Sequence, residues 1–159
     1  MRYDAPMDKI LDEADRRILR ELQRDSSRPI AQIAEAVGLS HAPCWRRIQR
    51  LRADGIIMRE AAVLDWQKLG WELELFVFLK ASAHGRANVE EFRRMMMSHD
   101  RVIGYYIMLG NTDAMLHVVA KNMRDYNEFY LENLATLPHI SEINSMTVLS
   151  QLKDTDIPV

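Results

Sequence analysis

A single cysteine, Cys44, leaves the chain without an internal disulfide and without a Cys-x-x-Cys metal cluster. No apolar run approaches the ~20 residues that a membrane helix needs. The segment Met1 to Lys9 is polar and holds no signal-peptide core, so a cytoplasmic protein without membrane contact is expected. The five histidines are scattered with no His-x-x-x-His pair, which argues against zinc. There is neither a Gly-rich phosphate loop nor a nucleophile elbow, and no catalytic residue, metal or cofactor is expected. The ten methionines, Met95-Met96-Met97 among them, read as adaptable core filler.

An excess of charge of one sign is also lacking, since the formal net charge is −2 over 159 residues. The charge is nevertheless unevenly spread. Residues 1 to 60 carry 12 bases and 10 acids, and residues 61 to 159 carry 9 bases and 13 acids. Between Ser40 and Arg59 there are five arginines, with only Asp54 to oppose them in that stretch. This is a local basic patch on a nearly neutral body.

What is present is enough apolar content, 48%, for one domain or two small ones. Residues 1 to 10 lack periodicity and contain Pro6, which predicts a loose arm. Asp12 can cap a first helix, with Glu13 and Asp15 in its first turn and Ile18, Leu19 and Leu22 as its apolar stripe. A short connection, Ser26 to Pro29, leads to a second helix with Ile30, Ile33, Ala34 and Val37 inward. Gly38 closes it, and the hydroxyl of Ser40 can cap a third helix that tolerates Pro43 in its first turn. Cys44, Ile48 and Leu51 share one face of that helix. The rest of its surface carries His41, Trp45, Arg46, Arg47, Gln49, Arg50 and Arg52. Three short helices, with a Gly-containing turn before the last, predict a helix-turn-helix whose third helix enters the major groove.

After Gly55 the spacing changes. Ile56 to Leu64 reads as extended, and Asp65 to Gly70 as turn and linker. Strands are predicted over Trp71 to Lys80, Val102 to Leu109, Ala114 to Ala120 and Ile140 to Leu149. Helices are predicted over Asn88 to Ser98 and from Asn122 to Pro138, the second with Met123, Tyr126, Phe129, Tyr130, Leu134 and Leu137 inward. The order βαββαβ is the ferredoxin-like arrangement, with both helices on one sheet face. The opposite face carries Phe76 and Phe78, and the second strand is apolar on both parities. A second copy of the chain is expected to cover it, giving at least a homodimer.

These features together resemble the Lrp/AsnC, or feast/famine, family of transcription regulators. The resemblance runs through Leu11-Asp12, Asp15, Ile18-Leu19 and Leu22, then Val37-Gly38-Leu39-Ser40, Ala42-Pro43-Cys44, Arg47, Leu51 and Gly55-Ile56-Ile57. It continues at Gly70, Gly110 with Asp113, Tyr126, Leu137-Pro138 and Lys153. Ser26, Ser27 and Pro29 depart from the family's pattern before the second helix, as does Ala114 after the Gly110 turn. The resemblance implies an α+β chain: a winged helix-turn-helix domain at 1–60, a linker strand and turn at 61–70, and a βαββαβ effector-binding and oligomerisation domain at 71–159. It further implies dimers that often assemble to octamers, with an amino acid commonly bound between dimers.

The expected contacts to double-stranded DNA are Ser40, His41, Ala42, Trp45, Arg46, Arg47, Gln49 and Arg50. Arginine can pair with guanine and glutamine with adenine, while the remaining bases neutralise phosphate. Charge reversal at Arg46 and Arg50 is expected to abolish specific binding and spare the oligomer. For Arg47 an internal salt bridge is the alternative, less favoured reading. For Cys44 the choice is between a thiol sensor and a small packing residue, and its place on the apolar face favours packing. The turn Gly110-Asn111-Thr112-Asp113 suits either a tight hairpin or the capture of an amino acid's ammonium and carboxylate groups. Met123, Met146 and Thr147 fall at positions that the resemblance associates with effector response. Two rivals stand beside an amino-acid-responsive regulator. One is a tetrapyrrole decarboxylase of the same architecture, which needs a large basic, histidine-bearing cavity. The other is an effector-blind architectural DNA-binding protein.

Overall fold

The computed structural model describes residues 11–82, 89–151 and 157–159. The arm expected over residues 1 to 10, and Lys153, lie outside them. The chain divides into two compact units, Met1–Val63 with Lys153–Val159, and Leu64–Leu152.

The first unit is built from α1 (Glu13–Arg24), α2 (Ile30–Ala36) and α3 (His41–Ala53). A reciprocal capping box starts α1. The Asp15 amide donates to Asp12 Oδ1 at 2.8 Å, and the Asp12 amide donates to Asp15 Oδ2 at 3.3 Å. Asp25 ends the helix and folds an Asx turn, accepting from the Ser27 amide and hydroxyl at 2.9 and 2.6 Å. α2 has no side-chain cap; Pro29 instead offers its carbonyl to the amides of Gln32 and Ile33. Gly38 takes a left-handed φ of 70° that lets the Leu39 amide reach the Ala34 carbonyl and close the helix. Ile18, Leu19, Ile33, Ala34, Val37, Cys44, Ile48 and Leu51 form the core of this unit.

Two expectations for this unit are corrected. Ser40 occupies the cap position of α3, but its side chain makes no capping bond. A cap oxygen accepts from the second or third helical amide, and the third residue here is Pro43, which has no N–H. No wing is paired among the described residues: 56–64 forms no strand, and Met58 and Val63 are almost fully exposed. Residues 157–159 contact this helical unit. Gln23 exchanges two hydrogen bonds with the Ile157 backbone, Arg20 donates to the Val159 carbonyl at 3.0 Å, and Val159 packs on the helical core.

The second unit is a four-stranded antiparallel sheet in the order β2-β3-β1-β4, made of β1 (Leu73–Ala81), β2 (Val102–Ile107), β3 (Ala114–Ala120) and β4 (Ile140–Thr147). With α4 (Val89–Met97) and α5 (Met123–Phe129) it completes the ferredoxin-like α+β arrangement. Strand alternation sends Leu75, Val77, Leu79, Leu116 and Val118 into a core with Met96, Tyr126, Phe129 and Leu134. α5 continues into a π-helical turn, Tyr130–Leu134, closed by a bond from the Ala135 amide to the Tyr130 carbonyl. Phe129 and Leu134 are five residues apart, about 140° on a regular α-helix; the wider turn brings both to the buried side. Met123, expected inward, is 59% exposed.

The other sheet face presents Glu74, Phe76, Phe78 and Lys80 from β1, with Tyr106, Met115, His117, Asn144 and Met146 from its neighbours in register. His117 stacks on Phe76 at 4.7 Å and hydrogen-bonds Glu74 Oε1 at 2.6 Å. Gly104 lies at the β2 irregularity, where an added Cβ would come within 2.8 Å of the Tyr106 ring. No helix among the described residues is long and apolar enough to cross a membrane.

Candidate nucleic-acid interface and effector site

Helix α3 has three faces with different tasks. Cys44, Ile48 and Leu51 are fully buried against α1 and α2. Burial pushes the Cys44 thiol above its usual range, so a packing role fits it and an activated thiolate does not. The second face is a charge clamp. Arg47 Nη1 donates to Asp12 Oδ2 at 2.6 Å and to Asp15 Oδ1 at 2.8 Å, and Arg50 Nη2 donates to Asp15 Oδ2 at 2.5 Å.

Asp15 is 2% exposed, so this carboxylate sits inside the head with both oxygens satisfied. Hydrogen bonding from the Asp15 amide, then from Arg47, holds the Asp12 carboxyl below its usual range. The same pairing, with Asp12 first, raises Arg47. The two carboxylates at the start of α1 therefore fix the azimuth of α3.

This clamp engages two of the expected DNA contacts. Arg50 pairs with Asp15, and Arg47 pairs with Asp12 and Asp15, so charge reversal at Arg50 would disturb the head as well as its surface. Arg52 is also engaged, with Glu60 at 2.5 Å. The arginine run looked unopposed because its partners lie outside it, Asp12 and Asp15 at the start of another helix and Glu60 just beyond its end. Among the described residues Arg46 makes no ion pair, and it projects with Ala42, Trp45 and Gln49 from the side opposite the buried stripe. At about 100° per residue these four span an arc of about 100°. His41 and Ser40 are exposed at the helix start, where the first amides have no intrahelical acceptor.

The predicted effector turn joins β2 to β3. Gly110 adopts φ 144°. The Asp113 amide donates to the Leu79 carbonyl at 3.0 Å, and the Met108 amide donates to the Asp113 carbonyl at 3.0 Å. The Asp113 carboxylate accepts from the Ala81 amide at 2.9 Å, stitching the turn to the end of β1. An open depression of ≈ 270 Å³ adjoins it, lined by Phe78, Leu79, Lys80, Asn111, Thr112, Glu142, Asn144 and Met146.

Of the predicted residues, this depression gathers Asn111, Thr112 and Met146. Gly110 and Asp113 shape the turn behind it. Thr147, opposite Leu75 in the sheet, lies outside it, and Met123 begins α5 beyond the far end of β3, about 20 Å along the strand. Lys80, Glu142 and Asn144 were missed. Their alternation within two strands was readable, but the register that makes Lys80 the partner of Glu142 was not. The lining includes no histidine, unlike the cavity that a tetrapyrrole decarboxylase requires.

Residues 11–52 match the family model described as the AsnC-type helix-turn-helix domain, and residues 74–158 match the Lrp/AsnC ligand binding domain. The chain belongs to the Lrp/AsnC family of transcriptional regulators. It is 34% identical over 151 residues to the DNA-binding transcriptional activator DecR of Escherichia coli, covering 94% of this chain and 99% of that one. An AsnC family transcriptional regulator from Agrobacterium tumefaciens superposes with a TM-score of 0.85 at 36% identity, covering 92% of this chain and 96% of that one. A Neisseria meningitidis transcriptional regulator solved with L-Met superposes with a TM-score of 0.87 at 27% identity, over 92% and 94% of the two chains.

Proposed function

We propose that this Lrp/AsnC chain is a sequence-specific DNA-binding regulator whose operator affinity responds to an amino acid or a closely related small molecule. The observation that carries the DNA part is the outward arc of α3. Ala42, Trp45, Arg46 and Gln49 point away from a fully buried stripe on a helix whose rotation is locked by Asp15. A fixed azimuth is what base reading requires, because a helix that rolls in the groove reads nothing. Arg46 and Gln49 supply polar contacts to base edges. Ser40, His41 and the free amides at the start of α3 supply phosphate contacts. Arg47 and Arg50 serve as positioning residues.

The effector site in this reading is the depression beside Gly110–Asp113. Lys80 and Glu142 place one cation and one anion on its wall, which suits the two charges of an amino-acid zwitterion, with Asn111, Thr112 and Asn144 as hydrogen-bonding neighbours. The L-Met held by the Neisseria relative supports this ligand class. Met123 and Thr147 can join such a site only from another copy of the chain.

A second copy covers the open sheet face in this proposal, since Tyr106 and Met146 stand about half exposed there, at 48% and 52%. The dimer then presents two α3 helices to a palindromic operator, and ligand binding at a boundary between dimers shifts the assembly and so the DNA affinity.

Footprinting of the purified protein on genomic DNA, with and without a pool of the common amino acids, tests both halves. Protected palindromic sites whose affinity changes with the pool are expected. Sequence-indifferent protection with a steep salt dependence would instead identify an architectural DNA-binding protein.

A further inference from the structure

Trp45 is 46% exposed on α3. Among the described residues its ring takes part in no aromatic or cation–π pair and its indole N–H in no hydrogen bond, and the chain's other two tryptophans, Trp66 and Trp71, are half-buried. It lies three residues from Ala42 and four from Gln49, so Ala42 and Trp45 form one apolar strip within the outward arc, bordered by Arg46. Leaving the largest apolar side chain in water at this position brings the folded head nothing: the core of the head is complete without it.

A helix in the major groove meets base edges that are almost wholly donors and acceptors. The one apolar feature of an unmodified base edge is the C5-methyl group of thymine. From the composition of the strip we infer that Trp45, with Ala42, reads thymine methyl groups in each operator half-site, while Arg46 and Gln49 make the polar base contacts. The inference rests on the DNA-binding reading above and deepens it by naming the base chemistry recognised.

The test begins with selection of a preferred duplex by the full-length protein from a randomised library. Each thymine of that duplex is then replaced singly by deoxyuridine, which removes the methyl and keeps O4 and the pairing. Affinities are measured for the wild-type chain and for Trp45→Ala. At one or two positions per half-site the wild type loses about fourfold per methyl removed. Trp45→Ala binds the unmodified duplex more weakly and is indifferent to the replacement at those same positions. Trp45→Phe, which retains an apolar ring, keeps part of the sensitivity.

Wild-type binding that is unchanged by every replacement overturns the inference while leaving sequence-specific binding intact. So does a methyl effect of equal size in Trp45→Ala. Failure of the wild type to enrich any sequence overturns the DNA-regulator reading and this inference with it, so the two failures are separable.

Discussion

The two units of this chain hold themselves together by different means. The sheet unit encloses a continuous apolar core that includes Leu75, Val77, Leu79, Leu116, Val118, Phe129 and Leu134, covered by two helices. The helical head has eight buried apolar residues and relies on carboxylates for the rest of its geometry. Asp15 joins α1 to α3 through two guanidinium groups, Glu21 accepts from Arg24 and Arg28, and Asp25 folds the α1–α2 connection. A unit of this size buries a smaller share of its surface than a larger domain does. Ionic stitches between helices add to its packing, and they leave the remaining face of α3 available for another task.

The difference can be tested from either side. The largest expected effect is in the sheet unit, where Leu116→Ala removes a fully buried side chain from the central strands and lowers stability by about 2–5 kcal/mol, read by chemical denaturation. Salt concentration should leave that loss unchanged, because no charge is involved.

In the head, Asp15→Ala removes the reciprocal half of the α1 capping box and both guanidinium contacts at once, while its own amide still donates to the Asp12 cap. A loss of about 1.5–3 kcal/mol is expected there, smaller than for an unpaired buried charge because Arg47 and Arg50 reach solvent. DNA binding should fall with it while the oligomeric state, measured by sedimentation, persists.

Arg46 and Arg50 separate the surface from the scaffold. Arg46→Glu should weaken operator binding by about tenfold or more with an unchanged melting temperature. Arg50→Glu should lower the melting temperature as well, since it sets an acid against Asp15. Equal melting temperatures for the two variants would contradict the clamp.

The smallest effect is that of pH. Asp12, Glu21 and Asp25 are all held below their usual range, first by the Asp15 amide, the Arg28 side chain and the Ser27 hydroxyl respectively. Carboxyls with depressed folded values stabilise the head fully above their unfolded values, about 4, and lose that contribution as pH falls through the lower folded values. Thermal scans should therefore show the head weakening below about pH 4 before the core of the sheet unit does.

Much of this arrangement was legible in the chain itself, because it depends on short-range chemistry. Asp12 and Asp15 announced a helix start, Gly38 announced a helix end, and the alternation around Leu75 and Val77 announced a strand. What escaped reading depends on contacts between distant residues. Arg50 meets Asp15 across 35 positions, so the basic run looked unopposed, whereas the Arg47 salt bridge, across 32, stood in the sequence as an alternative. The idle hydroxyl of Ser40 follows from Pro43 and was derivable, but the two signals were read separately. The effector depression needed the register of β1 against β4, which period-two alternation does not specify. The π turn after Phe129 and the return of Val159 to α1 left no local mark at all.

In the proposed function α3, held in place by Asp15, reads DNA through the arc that carries Arg46. The most direct measurement is enrichment from a randomised duplex library by the purified wild-type chain and by Arg46→Ala, at equal protein concentration and near-physiological salt. A palindromic pair of half-sites is expected to be enriched by the wild type and lost in Arg46→Ala, whose melting temperature is unchanged. Enrichment of the same sequence to the same degree by both proteins would contradict it.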